Sequence, residues 1–391
     1  MLAQPGSELC SHGCPTMPRL PVTASSATSL TLADGRRLLA FAGCNYLGLA
    51  QHPRVLAAAA QGLALFGIST TASRETTGNT SMHDALECEL ASFMQQESAI
   101  LTAEGYTANF AVAQGLAPTH GVALVDAKAH RSIRNAATAA GMQVIVYEHA
   151  DPGSAGHLVK QHYDAGVAIF TDGVFAADGA IAPVAELLAV LPAKRATLVV
   201  DDCHGLTVKG PHGRGTVAAA SLNDPRVVIT TTLAKGIGCY GGAVVGRRAL
   251  IRFIQDESDV YRRSTPVPTP IAMAARAAVA LIEANDSLLQ SLLKNAGLLR
   301  AQLLRAGVKS GNEGSPVCTF VLPGGASRMQ RVHEIMLKAG VYAPLIEYPG
   351  GPADQYFRLT VTAAHSSEEI TALGDALAGA MEATGGTITA A

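Results

Sequence analysis

Seven short runs of uninterrupted apolar residues punctuate the middle of this chain, at about 98–103, 122–126, 143–147, 167–171, 197–201, 227–232 and 242–246, with helix-length segments between them. A strand wet on one face alternates apolar and polar residues, whereas one that is apolar throughout needs cover on both faces. The pattern therefore predicts an α/β fold, a mostly parallel seven-stranded sheet with helices on both faces. Ligands on such sheets lie beyond the carboxyl ends of the strands. That rule gathers Tyr106, His130, Asp172, Asp201, His204 and Lys235 around one crevice.

Two of these strand ends carry distinctive chemistry. The run Thr197–Val200 closes in Asp201-Asp202-Cys203-His204, and about 30 residues later Val227–Thr232 leads to Leu233-Ala234-Lys235 and a Gly-rich stretch. A carboxylate and an imidazole from one strand, with a lone lysine from the next, are what pyridoxal phosphate (PLP) chemistry requires. The lysine holds the aldehyde as a Schiff base, and the Asp keeps the pyridine nitrogen protonated so that the ring accepts electrons.

Toward the ends the pattern changes. Residues 1–40 read as an arm ending in a hairpin, Ser29–Leu32 and Leu38–Phe41 turned at Asp34-Gly35. Helices are expected from Pro53 to about Leu65 and from Ser81 to Met94. Beyond about residue 270 come Ala/Leu-rich helices at 271–285 and 287–306, strands near 317–322 and 356–362, and a final helix from Ser367 to about Thr384. The expected layout is an arm (1–40), a large PLP-binding domain (41–270) and a small α+β C-terminal domain (271–391).

Composition excludes several classes. A net charge of −2 offers no basic field for nucleic acid. No apolar stretch reaches the 18 or more residues of a membrane span, and the N-terminus lacks the pattern of a signal peptide. Seven scattered cysteines suit reduced cytoplasmic thiols rather than a disulfide framework. Cys10 and Cys14 have no second half with which to hold a metal, so no metal site is expected.

The motifs together resemble the α-oxoamine synthases, fold-type I PLP-dependent transferases that join an amino acid to an acyl thioester (acyl-CoA or acyl carrier protein). The resemblance runs from about Arg36 to Ala380. It is carried by Asn45-Tyr46-Leu47-Gly48-Leu49-Ala50, Ser73-Arg74 with Gly78 and His83-Asp84, Gly105-Tyr106-Thr107-Ala108-Asn109, and Asp126 with His130-Arg131-Ser132-Ile133. Asp178-Gly179-Ala180-Ile181-Ala182-Pro183, Asp201-Asp202-Cys203-His204-Gly205, Gly213-Arg214-Gly215, Thr232-Leu233-Ala234-Lys235 and Arg358-Leu359-Thr360 complete it.

The resemblance implies that Lys235 forms the Schiff base and then serves as acid and base, that Asp201 pairs with the pyridinium, and that His204 reaches the ring's phenolic oxygen. His130 is implied to stack on the ring, with Asp172 beside it. Gly105, Tyr106 and Thr232 bind the phosphate, and Arg358 clamps the amino acid carboxylate. Asn45, Tyr46 and Arg74 are further substrate-binding candidates. Ser264-Thr265 resembles a segment contributed by a neighbouring subunit, which implies a homodimer with shared sites. Cys44, Glu104, Asp172 and Ala176 depart from the residues usual in the family and point to a tuned or unusual substrate. Arg19 is the only candidate in the arm for gripping an acyl-chain carboxylate. The same fold also serves aminotransferases and aldol-type enzymes, and a non-catalytic subunit of a heterodimeric synthase would be expected to lack the lysine.

Overall fold

The computed structural model describes residues 21–310 and 314–385; Cys10, Cys14 and Arg19 lie outside them. The chain opens with strands β1 (Val22–Ser25), β2 (Ser29–Leu32) and β3 (Arg37–Ala40). The hairpin expected from Asp34-Gly35 is β2–β3, with Gly35 at φ 84° where the turn needs a left-handed residue. Strand β1 was not expected. Helices α1 (Pro53–Phe66) and α2 (Ser81–Phe93) follow.

The central sheet holds β4 (Ser98–Thr102), β5 (Val122–Asp126), β6 (Gln143–Tyr147), β7 (Val167–Asp172), β8 (Ala196–Asp201), β9 (Val227–Thr232) and β10 (Gly242–Gly246). Their order is β4-β10-β9-β8-β7-β5-β6. Strand β10 runs antiparallel to both neighbours, because residues 233–241 are too few for a crossover and close a hairpin instead. Lys235 sits in that hairpin. The helices between the strands are α3 (Gly105–Leu116), α4 (Arg131–Ala139), α5 (Pro152–His162), α6 (Val184–Ala189) and α7 (Thr216–Ala219).

Alternate residues of the central strands enter different cores. Val167, Ile169, Leu198, Val200 and Ile229 belong to one apolar cluster, and Ala168, Phe170, Val199 and Val228 to another. Both faces are covered, which is why these strands read as continuous apolar runs. Strand β6, at the sheet edge, is the partly exposed one.

After α8 (Arg248–Glu257) and α9 (Asp259–Arg262) come the long helices α10 (Thr269–Ala284) and α11 (Ser287–Arg305). A three-stranded antiparallel sheet follows, ordered β11 (Val317–Phe320), β14 (Tyr356–Thr360), β13 (Leu345–Ile346), with α12 (Gly325–Lys338) and α13 (Ser367–Ala383) against it. Strand β12 (Val341–Tyr342) pairs in parallel with β3, Val341 opposite Leu39. The N-terminal hairpin is thus a ledge on the C-terminal unit, and Phe41 packs in the cluster of Leu299, Phe357 and Leu373. Among the described residues no helix is long and apolar enough to cross a membrane, and no group of His, Cys, Asp and Glu could hold a metal ion.

Candidate active site

The carboxyl ends of β5, β7, β8 and β9 converge where the strand order reverses, since β6 and β7 flank β5 on opposite sides. Gly105, Tyr106, His130, Asp172, Asp201, His204, Thr232 and Lys235 all line one cavity there, of about 180 Å³. Asp201 ends β8 and Lys235 follows β9, so neighbouring parallel strands deliver them to the same side.

The Asp201 carboxylate accepts hydrogen bonds on both oxygens, from Cys203 N (3.1 Å) and Asn109 Nδ2 (2.7 Å). Asp172 lies opposite it in register on β7. Burial first, and then the Asp201 charge, push the Asp172 pKa well above the carboxylate range. Its Oδ1 accepts the backbone N–H of His130 at 3.2 Å. The loop carrying His130 is further shaped by buried Asp126, which accepts from Lys128 N, His149 Nδ1 and Ala150 N.

His204 is tied to Tyr46, whose hydroxyl lies 2.7 Å from Nδ1. Burial first, then Cys44, raise the Tyr46 pKa well above its ordinary value, so the phenol keeps its proton. The bond engages Nδ1 and leaves Nε2 as the free ring nitrogen. Burial and the charges of Lys235 and Arg358 depress the His204 pKa well below its ordinary value. Tyr46, fully buried, therefore packs and also orients His204.

Arg358 approaches from β14. Its Nε donates to Ala176 O at 2.8 Å; Ala176 lines the cavity, whereas Arg358 itself is not among the lining residues. Burial works against its charge, but Tyr46 and Cys44 beside it outweigh this and raise its pKa. Tyr106 stands edge-on to His130, ring centroids 6.3 Å apart, and its hydroxyl accepts from Asn135 Nδ2 at 2.7 Å.

Other sequence candidates are not brought to this cavity in the same chain. Asn45 shapes its own turn, Oδ1 accepting from Ala50 N. Arg74 is buried in an ion pair with Glu87 at 2.8 Å and lies over the Tyr261 ring at 4.9 Å. Ser264 donates to Val260 O, and Thr265 is likewise absent from the lining. His83 is a core histidine, bound to Thr80 and Val267 O. Sequence reasoning gave no role to Asn109, Ser132, Cys203 or Tyr240. The first two form a buried network at the site, and the last two line the cavity. Asn109 had one available signal, a polar residue amid the small and apolar positions of α3.

The chain matches the family model of aminotransferase class I and II over residues 37–377. It is 36% identical over 353 residues to a putative 8-amino-7-oxononanoate synthase of Desulforudis audaxviator, covering 90% of this chain and 91% of that one. A second relative, the 8-amino-7-oxononanoate synthase of Thioalkalivibrio sulfidiphilus, is 34% identical over 88% of this chain and 89% of its own. The solved serine palmitoyltransferase of Sphingomonas wittichii superposes with a TM-score of 0.85 at 28% identity, over 93% of this chain and 92% of that one.

The chain belongs to the aminotransferase class I and II family. Its relatives put it among the α-oxoamine synthases, PLP-dependent acyltransferases of fold type I.

The residues of this synthase fit that cofactor. Gly105 opens α3, and its first N–H groups have no intrahelical acceptor, which suits a phosphate. A Cβ at Gly105 would lie 2.6 Å from Thr232 Cβ, so the bare backbone keeps the cradle open. Asp201 offers a carboxylate for the pyridinium and Lys235 an amine for the aldehyde. Thr232 Oγ1 donates to Gly241 O at 3.1 Å, so that hydroxyl must turn before it can serve a phosphate oxygen.

Proposed function

We propose that this synthase condenses an amino acid with an acyl thioester and releases CO2, giving an α-amino ketone and a free thiol. The observation that carries the reading is the convergence of Lys235, Asp201, His130 and His204 in one cavity at the ends of neighbouring strands. Bound PLP supplies the electron sink that makes the amino acid's α-proton removable.

The protein's own groups do the rest. Lys235 Nζ would hold PLP through its aldehyde, and the same amine is placed to take the α-proton and later return one. Asp201, its charge spread over two accepted hydrogen bonds, keeps the pyridine nitrogen protonated through an ionic hydrogen bond. His204, with Nδ1 engaged by Tyr46, would offer Nε2 to the phenolic oxygen. His130 would lie against the ring, and the Arg358 guanidinium would hold the substrate carboxylate and so orient the amino acid.

We also propose a homodimer. The outer side of α1 and the segment after it leave Leu56, Leu63, Leu65, Phe66 and Ile68 exposed. An apolar patch of this kind supports burial against a second copy. Ser264-Thr265 and Arg74 would then act in the neighbour's site. Reduced cysteines among the described residues support a cytoplasmic location. We read residues 41–270 as the cofactor domain and 271–391 as the small one.

The test pairs absorbance with turnover. Lys235→Ala should lose the visible band of lysine-bound cofactor and nearly all activity, while still binding PLP weakly. The wild type, screened with Gly, Ala, Ser and larger amino acids and then acyl-CoAs of graded length, should release CO2 and thiol together. Labelling of a different lysine by borohydride would overturn the assignment.

A further inference from the structure

Behind the site lies a hydrogen-bond network of which the roles above use only the bond to Asp201. Asn109, on α3 and fully buried, makes three contacts. Its Oδ1 accepts from Thr230 Oγ1 at 2.8 Å, and its Nδ2 donates to Asp201 Oδ2 at 2.7 Å and to Ser132 Oγ at 2.9 Å. Ser132 Oγ in turn lies 2.7 Å from His130 Nδ1, which also accepts the Ser132 backbone N–H at 3.2 Å.

Chemistry fixes the direction of every bond. A flipped Asn109 amide would set its carbonyl against the Asp201 carboxylate, and acceptors do not bond to each other. Its two N–H groups must therefore point at Asp201 and Ser132. Ser132 Oγ, having accepted from Asn109, has its own proton left to give to His130 Nδ1. A backbone N–H already donates to Nδ1, so that nitrogen is unprotonated. The neutral His130 ring then carries its proton on Nε2. Burial, with Lys235 adding to it and Asp201 opposing, lowers the His130 pKa in the same sense.

We infer that Asn109 is a positioning residue that sets, through one amide, both the charge environment of Asp201 and the tautomer of His130. The inference rests on the roles given above to those two residues. The network joins α3, β8, β9 and the start of α4, so a change at Asp201 is felt at His130. Buried networks with every member satisfied rigidify a site in this way. His130 is left with a single donor, Nε2–H, toward the crevice.

The test uses the holoenzyme with 15N-labelled histidine, comparing wild type, Asn109→Leu and Ser132→Ala. Wild type should show the Nε2–H tautomer for His130, assigned by its loss in His130→Gln. Ser132→Ala removes the donor that favours neutral Nδ1, so the His130 titration should move up toward the ordinary value of about 6.5. The pH transition of the cofactor band should stay in place. Asn109→Leu should move both transitions and lower kcat/KM at least tenfold. A purely structural role would lower the melting temperature and leave both titrations unmoved, and that result overturns the inference. If Asn109→Leu does not fold, an unmoved His130 titration in Ser132→Ala overturns it alone. A wild type with no lysine-bound cofactor band would instead overturn the site assignment.

Discussion

Arg358 shows how much a side chain's neighbours decide. On β14 its Nε is spent on the Ala176 carbonyl and its guanidinium lies beside Tyr46 and Cys44; in the proposed role its terminal nitrogens would grip a carboxylate in parallel hydrogen bonds. Lysine would keep the charge and lose both the anchor and the fork. Arg358→Lys is expected to weaken amino acid binding and lower kcat, costing about 2–4 kcal/mol in kcat/KM, with PLP affinity unchanged. The check is amino acid Kd from the cofactor spectrum beside steady-state rates. Unchanged affinity would make Arg358 structural, and Arg74 of a neighbouring copy the next candidate. Tyr46 teaches a similar lesson. A buried phenol engages Nδ1 of His204 and so fixes which nitrogen is left for other partners.

At the scale of elements, the decisive contact is between the start of α3 and the end of β9. Gly105 lets the helix N-terminus close on Thr232, where a methyl group would come within 2.6 Å of Thr232 Cβ. Gly105→Ala must therefore push α3 away from the strand that leads to Lys235. PLP affinity should fall by about tenfold or more, equal to at least about 1.4 kcal/mol, with only a small change in melting temperature. Equilibrium dialysis of the variant measures this. Wild-type affinity would show that the phosphate is held elsewhere. The β9–β10 hairpin matters for a related reason. Leu233 N bonds Gly241 O and Cys239 N bonds Leu233 O, which holds the lysine's loop against the sheet.

Across the whole molecule, buried histidines govern the response to acid. Burial lowers the pKa of His83, His120, His130, His204, His333 and His365. In the unfolded chain each takes up a proton near pH 6.5, and in the folded one each resists it. The unfolded state then binds more protons as pH falls, so stability is full above about 6.5 and declines below it. Two buried acids oppose this within the same window, Asp202, raised to about 6 by burial, and Asp172, raised well above the carboxylate range, but the six histidines outnumber them. The melting temperature should thus drop by a few degrees between pH 7.5 and 6, as scanning calorimetry would detect. A flat or rising curve would contradict these assignments.

The sequence alone determined the sheet, its strands to within a residue or so at the ends, and the chemistry at the ends of β8 and β9. Apolar runs buried on both faces leave a local, periodic trace, and a lysine, an aspartate and a histidine at strand ends are conspicuous against it. Tertiary structure alone decided the rest. The pairing of the N-terminal hairpin with β12 joins residues about 300 positions apart, and such short strands carry no address for a distant partner. Helix α12 buries Met329, Val332 and Met336 at helical spacing, but what that stripe packs against is decided by the tertiary structure. The Asn109 network depends on donor directions fixed jointly by Thr230, Asp201 and Ser132. Hydrogen bonds are set by geometry over three ångströms, and one-dimensional spacing does not encode that geometry.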